Sequence, residues 1–579
     1  MTVPARLKRV GVRLLPPATR ARRAAEREAA RAQAQEQRRR ERVAQRRAAL
    51  VDGRPDLVRF TLAGDERIGR RVESFSSAAA SAASLRRIAE VAEAAGIDYF
   101  LVPGRAPTRY VVGMDHRDKK EFLTRLRDAY RGGPLYAAKP ATGGELNGAP
   151  ALYADGALPD RIKHGRTIRF GEYLMGPENQ LLAGLEHGCD VEFWRSGEDA
   201  AAEDPQRVAA LRVQVPPEVL ADSLVAPRRN RVADVLPTSE RTPATRSVDD
   251  REYPTVPAFA RPGADEIDFP IDVVYTWVDG DDPVLAEKRR RYRGEAPGPA
   301  RHAGASRYTS RDELRYSLRS LAAYAPFVRN VYIVTDGQVP WWLDPAAPGI
   351  TVVDHRDVFR YPDALPVFNS HAIASQLHNI DGLSERYVYF NDDVFVGKPL
   401  TADRFFHGNG IAKVPFSGFQ IGTGRPRVDE PAPNSAGKNV RTLMEQVHGR
   451  SITHKFKHVP HPQIRGVFSE LEAMFPAWME QTARSRFRDP ADLAVAGSLH
   501  HHHALFTGRA VPGEYPLRYI DIAADDADER MRRLAADRDF DFFCLNDVDT
   551  PPERQDEVSA QVTGFLESYF PFASPFEKG

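Results

Sequence analysis

The chain predicts an α/β protein. Three observations carry that reading: strand-sized apolar runs ending in carboxylates, amphipathic helical segments between them, and no apolar run approaching the roughly 18 to 20 residues that span a bilayer. The 579 residues, 42% apolar and 28% charged, suffice for about three domains or two larger ones and exclude a wholly disordered chain. Two cysteines, Cys189 and Cys544, are too few for a disulfide framework or a Cys-based zinc site. The basic start lacks the apolar core of a secretory signal, so a cytoplasmic protein is expected.

Charge is unevenly spread. Residues 1–50 hold 15 Arg and Lys against 4 Glu, a net +11, which leaves −10 for residues 51–579 of a chain whose total is +1. An acidic body disfavours general nucleic-acid binding, whereas the basic arm suits a polyanion.

In chain order, residues 1–54 form the basic arm. Its 20–49 stretch is nearly all Ala, Arg, Gln and Glu, strong helix formers with a thin apolar face. Docking on an anionic membrane surface, at about 1 kcal/mol per basic residue near lipid, or on a polyanionic glycan is one reading, and a frayed helical extension the other. Residues 55–215 read as an accessory α/β module, with helices over 81–95 and 119–130 and strands over 99–102, 110–112, 167–174 and 190–194. It carries no catalytic signature, and support or acceptor binding is expected. Residues 216–267, rich in Pro, Arg, Thr and Asp without periodicity, read as a linker.

Chemistry concentrates in residues 268–579. A buried-type strand over 271–278 ends in Asp279-Gly280-Asp281-Asp282. Ligands of open α/β sheets sit outside the carboxyl ends of strands, which makes Asp279 a nucleotide or metal contact, or else part of a polar turn. The next helix, 312–324, places Arg315 and Arg319 four residues apart on one face. Two guanidiniums so placed suit a diphosphate, with ion pairing to carboxylates as the alternative. Strands over 330–335 and 351–353 close on Asp336 and Asp354. A helix over 370–378 leads to strand 387–390, which delivers Asn391-Asp392-Asp393 to a sheet edge. Such hard oxygen ligands suit Mg²⁺ or Mn²⁺ on a diphosphate.

Residues 271–283, 312–343, 365–400, 458–493 and 543–548 closely resemble the four conserved regions of Stealth proteins. The resemblance implies a Rossmann-like, glycosyltransferase-A-like core and a hexose-1-phosphate transferase needing Mg²⁺ or Mn²⁺. Such an enzyme moves hexose-1-phosphate, expected here to be N-acetylhexosamine-1-phosphate, from a UDP-sugar donor to a hydroxyl of a capsular or cell-surface polysaccharide acceptor and releases UMP. In matching motifs lie Asp279 and Arg319, the Asn391-Asp392-Asp393 run, His458 and Arg488, and Asn546 and Asp547 in the last region. They imply a metal on Asp392, Asp393, Asn546 and Asp547, charge stabilisation by Arg319 and Arg488, and His458 as general base, with a covalent phosphohistidine open. His461 is a partner or second candidate. The large inserted modules of the animal enzyme are missing, which disfavours a protein acceptor. A metal-dependent glycosyltransferase releasing UDP is the alternative enzyme, and a glycan-binding protein without catalysis the alternative class.

Two features invite other readings. His500 to His503 lie about 100° apart on a helix, so no three converge on zinc, and a structural or acceptor-facing role is expected. Cys544, beside Phe542 and Phe543, reads as a small core residue.

Overall fold

The computed structural model describes residues 17–141, 144–212, 214–293, 310–548 and 550–579. Residues 1–16 of the basic arm lie outside the described residues; from there on it is a helix, Pro17–Val51, as its composition dictates, laced by pairs such as Arg22 with Glu26 and Glu36 with Arg39 and Arg40. Its last turns touch the body. Leu50 is buried there, and Arg47 reaches the Asp155 carboxylate at 2.6 Å. No helix among the described residues is long and apolar enough to cross a membrane.

The accessory module is an eight-stranded mixed sheet around strand Cys189–Ser196. Helices Ser77–Ala94 and Lys119–Tyr130 bury Leu85, Ile88, Phe122 and Leu126 against it. The Ser76 hydroxyl accepts from the Ala79 amide and starts the first of them.

Residues 216–267 are not the linker that composition predicts. Strand Ser223–Val225 pairs with Cys189–Ser196, and Val235–Pro237 pairs with Ser223–Val225 in turn. A hairpin, Ala244–Val248 with Arg251–Thr255, adds Val248 and Tyr253 to the module's core. Strands of three to five residues are too short to display a period of two, and the partner that orders them is remote in sequence.

The sheet that positions the site has five strands in the order Ile350–Asp354, Val328–Thr335, Ile271–Thr276, Arg386–Asn391, His461–Ile464. The first four are parallel and the last is antiparallel. Taken in chain order this is 3-2-1-4 plus one reversed strand, the Rossmann-like arrangement. Its strands read as unbroken apolar runs because both faces are covered: Val273, Val274, Tyr275 and Val388 are all at most 1% exposed. Strand order reverses between the Ile271 and Arg386 strands, where Thr276 lies opposite Asn391. A ligand crevice is expected at this switch point. A smaller sheet pairs Val394–Val396 with Phe542–Asn546 and so brings the last conserved segment beside Asp393.

Candidate active site

A cavity of about 830 Å³ opens at that switch point. Its floor is the end of strand Arg386–Asn391 and the turn that follows, with Asn391, Asp392 and Asp393 in the wall. His458 lies across from them. Its Nε2 is 3.1 Å from both Asp393 oxygens, while the Asn391 amide nitrogen is 3.2 Å from its Nδ1. A ring that gives Nε2–H to Asp393 keeps its lone pair at Nδ1. Asp393 also accepts from the Asn546 amide at 3.2 Å and from the Cys544 thiol at 3.3 Å.

The two neighbouring carboxylates ionise in opposite senses. Burial, then the charges of Asp393 and Glu313, push Asp392 up to about 8. For Asp393 burial acts upward too, but His458, Asn546 and Cys544 together hold it below the ordinary range. Desolvation opposes the His458 cation, yet Asp393 raises that imidazole above its usual value. A carboxylate pair that cannot carry both charges unaided is a fitting seat for a divalent cation. Asp392, Asp393 and the side-chain oxygen of Asn546 are hard donors that could hold Mg²⁺ or Mn²⁺. Asp393, His458 and Cys544 bring their ligand atoms within 4.8 Å of one another. The thiol is held protonated by burial and by Asp393, so it serves as a hydrogen-bond donor rather than a thiolate ligand.

The opposite wall comes from Ser370 and His371 and the loop that carries Arg488. Asn369 caps the short helix Ser370–Ala374 and ties to Asp492 at 2.8 Å. Arg488 donates to the Ser370 hydroxyl at 3.0 Å. His371 gives Nδ1–H to the Leu493 carbonyl at 3.2 Å, which leaves its Nε2 as an acceptor. Burial and Arg488 lower this imidazole to about 4, so it is neutral.

The expected residues therefore divide. Asn391, Asp392, Asp393, His458, Arg488 and Asn546 meet in one cavity. Arg315 and Arg319 do not. They share a helix face as predicted, Glu313–Tyr324, but that face meets the C-terminal tail, where both grip Glu577 at 2.5 and 2.7 Å. Asp279 also lies outside the wall. Its carboxylate caps the Asp281 amide at 3.0 Å in a turn braced by Gln338, while Trp277 and Val278 face the cavity. Asp547 is spent on Arg311 at 2.7 Å, both side chains nearly buried. Its position one residue past Asn546 turns it away, because successive side chains of an extended chain point oppositely.

Sequence reading missed Ser370, His371 and the contact of Cys544 with Asp393. The signal for the first two was the Asn-Ser-His run, whose Asn is a helix cap; nothing local marks Cys544. His461 lines the cavity as well, and His500 to His503 are all buried on helix His500–Phe506 behind it.

Four regions of the chain match Stealth profiles: conserved region 1 over residues 269–296, region 2 over 307–414, region 3 over 457–505 and region 4 over 532–579. An exopolysaccharide phosphotransferase of Streptomyces coelicolor, SCO6023, is 39% identical over 507 residues, covering 86% of this chain and 82% of its own. A second from that organism, SCO2594, is 39% identical over 530 residues, 86% and 84% of the two chains. The exopolysaccharide phosphotransferase CpsY of Mycobacterium tuberculosis is 37% identical over 345 residues, 59% of this chain and 65% of that one. Among solved structures, a galactosyltransferase, LgtC, aligns with 52% of this chain and 96% of that chain at 13% identity and a TM-score of 0.28, which carries no weight for function.

Proposed function

Because this chain belongs to the Stealth family, we propose that it is an exopolysaccharide phosphotransferase that moves hexose-1-phosphate from a UDP-sugar to a polysaccharide hydroxyl and releases UMP. One observation supports this most. All four conserved regions, though spread over some 300 residues of sequence, send side chains into the same cavity: Trp277 from the first, Asp392 from the second, His458 from the third and Asn546 from the fourth.

In this reading the acceptor oxygen attacks the phosphorus that bears the sugar. A phosphorus–oxygen bond forms there as the bond to the bridging oxygen breaks, and UMP carries that oxygen away. His458 takes the acceptor proton at Nδ1, where the hydroxyl displaces the Asn391 amide. Asp393 holds Nε2–H and steadies the imidazolium that results, at 3.1 Å. Arg488, exposed at the rim and hydrogen-bonded to Ser370, meets the diphosphate charge. A Mg²⁺ or Mn²⁺ held by Asp392, Asp393 and Asn546 would neutralise charge on the leaving phosphate. The donor sugar is N-acetylhexosamine in this proposal, and the basic helix Pro17–Val51 holds the enzyme at the anionic inner face of the membrane.

Phosphorus NMR of the polysaccharide after incubation with a UDP-sugar tests the bond made. A phosphodiester resonance on the polymer is expected; a polymer that gains sugar but no phosphorus rejects the proposal.

A further inference from the structure

Behind the cavity wall runs a row of hydrogen-bonded imidazoles that no catalytic step above employs. It starts at a group whose hydrogen cannot move. The Ile464 backbone N–H points at His500 Nε2 from 2.9 Å. The Ile464 carbonyl lies 3.2 Å from the same nitrogen, but a ring nitrogen facing an amide hydrogen must accept, not donate. Neutral His500 therefore carries its proton on Nδ1, which faces His501 Nδ1 at 3.3 Å. His501 in turn carries its proton on Nε2, 2.8 Å from His461 Nδ1. That last contact makes His461 Nδ1 an acceptor and leaves its proton on Nε2.

His461 sits on the antiparallel strand opposite Tyr389, on the sheet face that Asn391 also shares, and it lines the cavity. Its Nε2 has no partner among the described residues and is the ring nitrogen left for a ligand. We propose that His461 is a fixed neutral N–H donor to an oxygen of the transferred sugar-1-phosphate, with His500 and His501 as positioning residues that set its tautomer from the Ile464 amide. Protonating His461 would set two N–H groups against each other at His501, so the row stays neutral as a unit; burial depresses His461 and His500 to about 3. An uncharged donor of this kind polarises an oxygen without taking its proton, which separates His461 from His458 in role.

The ligand assignment rests on the function proposed above; the tautomer assignment does not, and the two are tested separately. In histidine-¹⁵N-labelled full-length enzyme at pH 7, long-range ¹H–¹⁵N spectra should show His461 neutral and protonated at Nε2. His461→Gln, which keeps an N–H near the Nε2 position, identifies the signal by its loss. An Nδ1–H or cationic His461 overturns the proposal. His501→Phe should leave His461 a mixture of tautomers, whereas an unchanged Nε2–H form would show that the row does not set it. By titration, His461→Phe should weaken UDP-N-acetylglucosamine binding about tenfold or more and leave UMP binding unchanged, with His461→Gln close to wild type. Equal losses in both variants, or equal loss for both ligands, contradict the donor role even if the enzyme proves to release UDP.

Discussion

Asp392 and Asp393 are adjacent in sequence and opposite in ionisation, and the difference is environmental: only Asp393 has His458, Asn546 and Cys544 to hold its charge. Asp392→Ala should therefore abolish cation-dependent turnover by at least about 10²-fold without changing the fold, and turnover that persists in EDTA would remove the metal from the account. Replacing His458 by Ala should slow the reaction by roughly 10² to 10⁴; a near-normal rate would move the base elsewhere. The residues legible in sequence were those whose placement follows from one strand end, as in Asn391-Asp392-Asp393. Arg315 and Arg319 show the limit. Their shared face was read correctly, but the partner that claims them, Glu577, is some 260 residues away, and spacing along a helix says nothing of what the face will meet. His371 and Cys544 are found only once the loop that carries Leu493 and the strand Phe542–Asn546 are in place.

At the scale of elements, two locks hold the site's frame. The helix Glu313–Tyr324 is clamped by Glu577, whose carboxyl is 2% exposed and held below 4.5, against burial, by Arg319, the Ser574 amide and Arg315. Glu577→Gln leaves two partly buried guanidiniums unpaired and should cost about 3 kcal/mol in urea denaturation, with folded protein still binding UDP-sugar. Because the folded value is depressed, this stabilisation is complete above about pH 4.5 and is lost as pH falls through the folded value. The second lock is the helix His500–Phe506. His461, His500 and His501 are held far below 6.5 by burial, so the unfolded chain takes up protons there that the folded chain refuses. Their contribution is full above pH 6.5 and falls below it by about 1.4 kcal/mol per pH unit for each imidazole. Urea midpoints measured at pH 7 and 5.5 should differ accordingly, and equal midpoints would show that the row is not buried neutral. Helices and long strands of this frame could be read from their periods. The strands Ser223–Val225 and Val235–Pro237 could not, since three residues carry no period and their order comes from the Cys189–Ser196 edge.

The whole molecule pairs an acidic body with a basic helix of 35 residues, about 50 Å long, that is anchored at its C-terminal end. Composition predicted the helix, and contacts beyond composition anchor it: Arg46 to the Asp155 carbonyl, Arg47 to the Asp155 carboxylate, and Leu50 in the core. Deleting residues 1–44 spares those contacts. It should abolish cosedimentation with anionic vesicles and leave turnover of a soluble acceptor unchanged; undiminished sedimentation would reject membrane docking by the arm. The fold class and the catalytic half were legible because parallel strands write themselves as apolar runs with polar ends. The extent of the accessory module was not, because its last strands are defined by pairing alone.

Transfer of a sugar together with its phosphate leaves UMP as the released nucleotide. Purified enzyme is incubated with Mg²⁺, a panel of UDP-sugars and a polysaccharide acceptor, and the released nucleotide is separated by chromatography. Acceptor-dependent UMP is the expected product, whereas UDP as the released nucleotide would mean that the sugar moves alone and would contradict sugar-1-phosphate transfer.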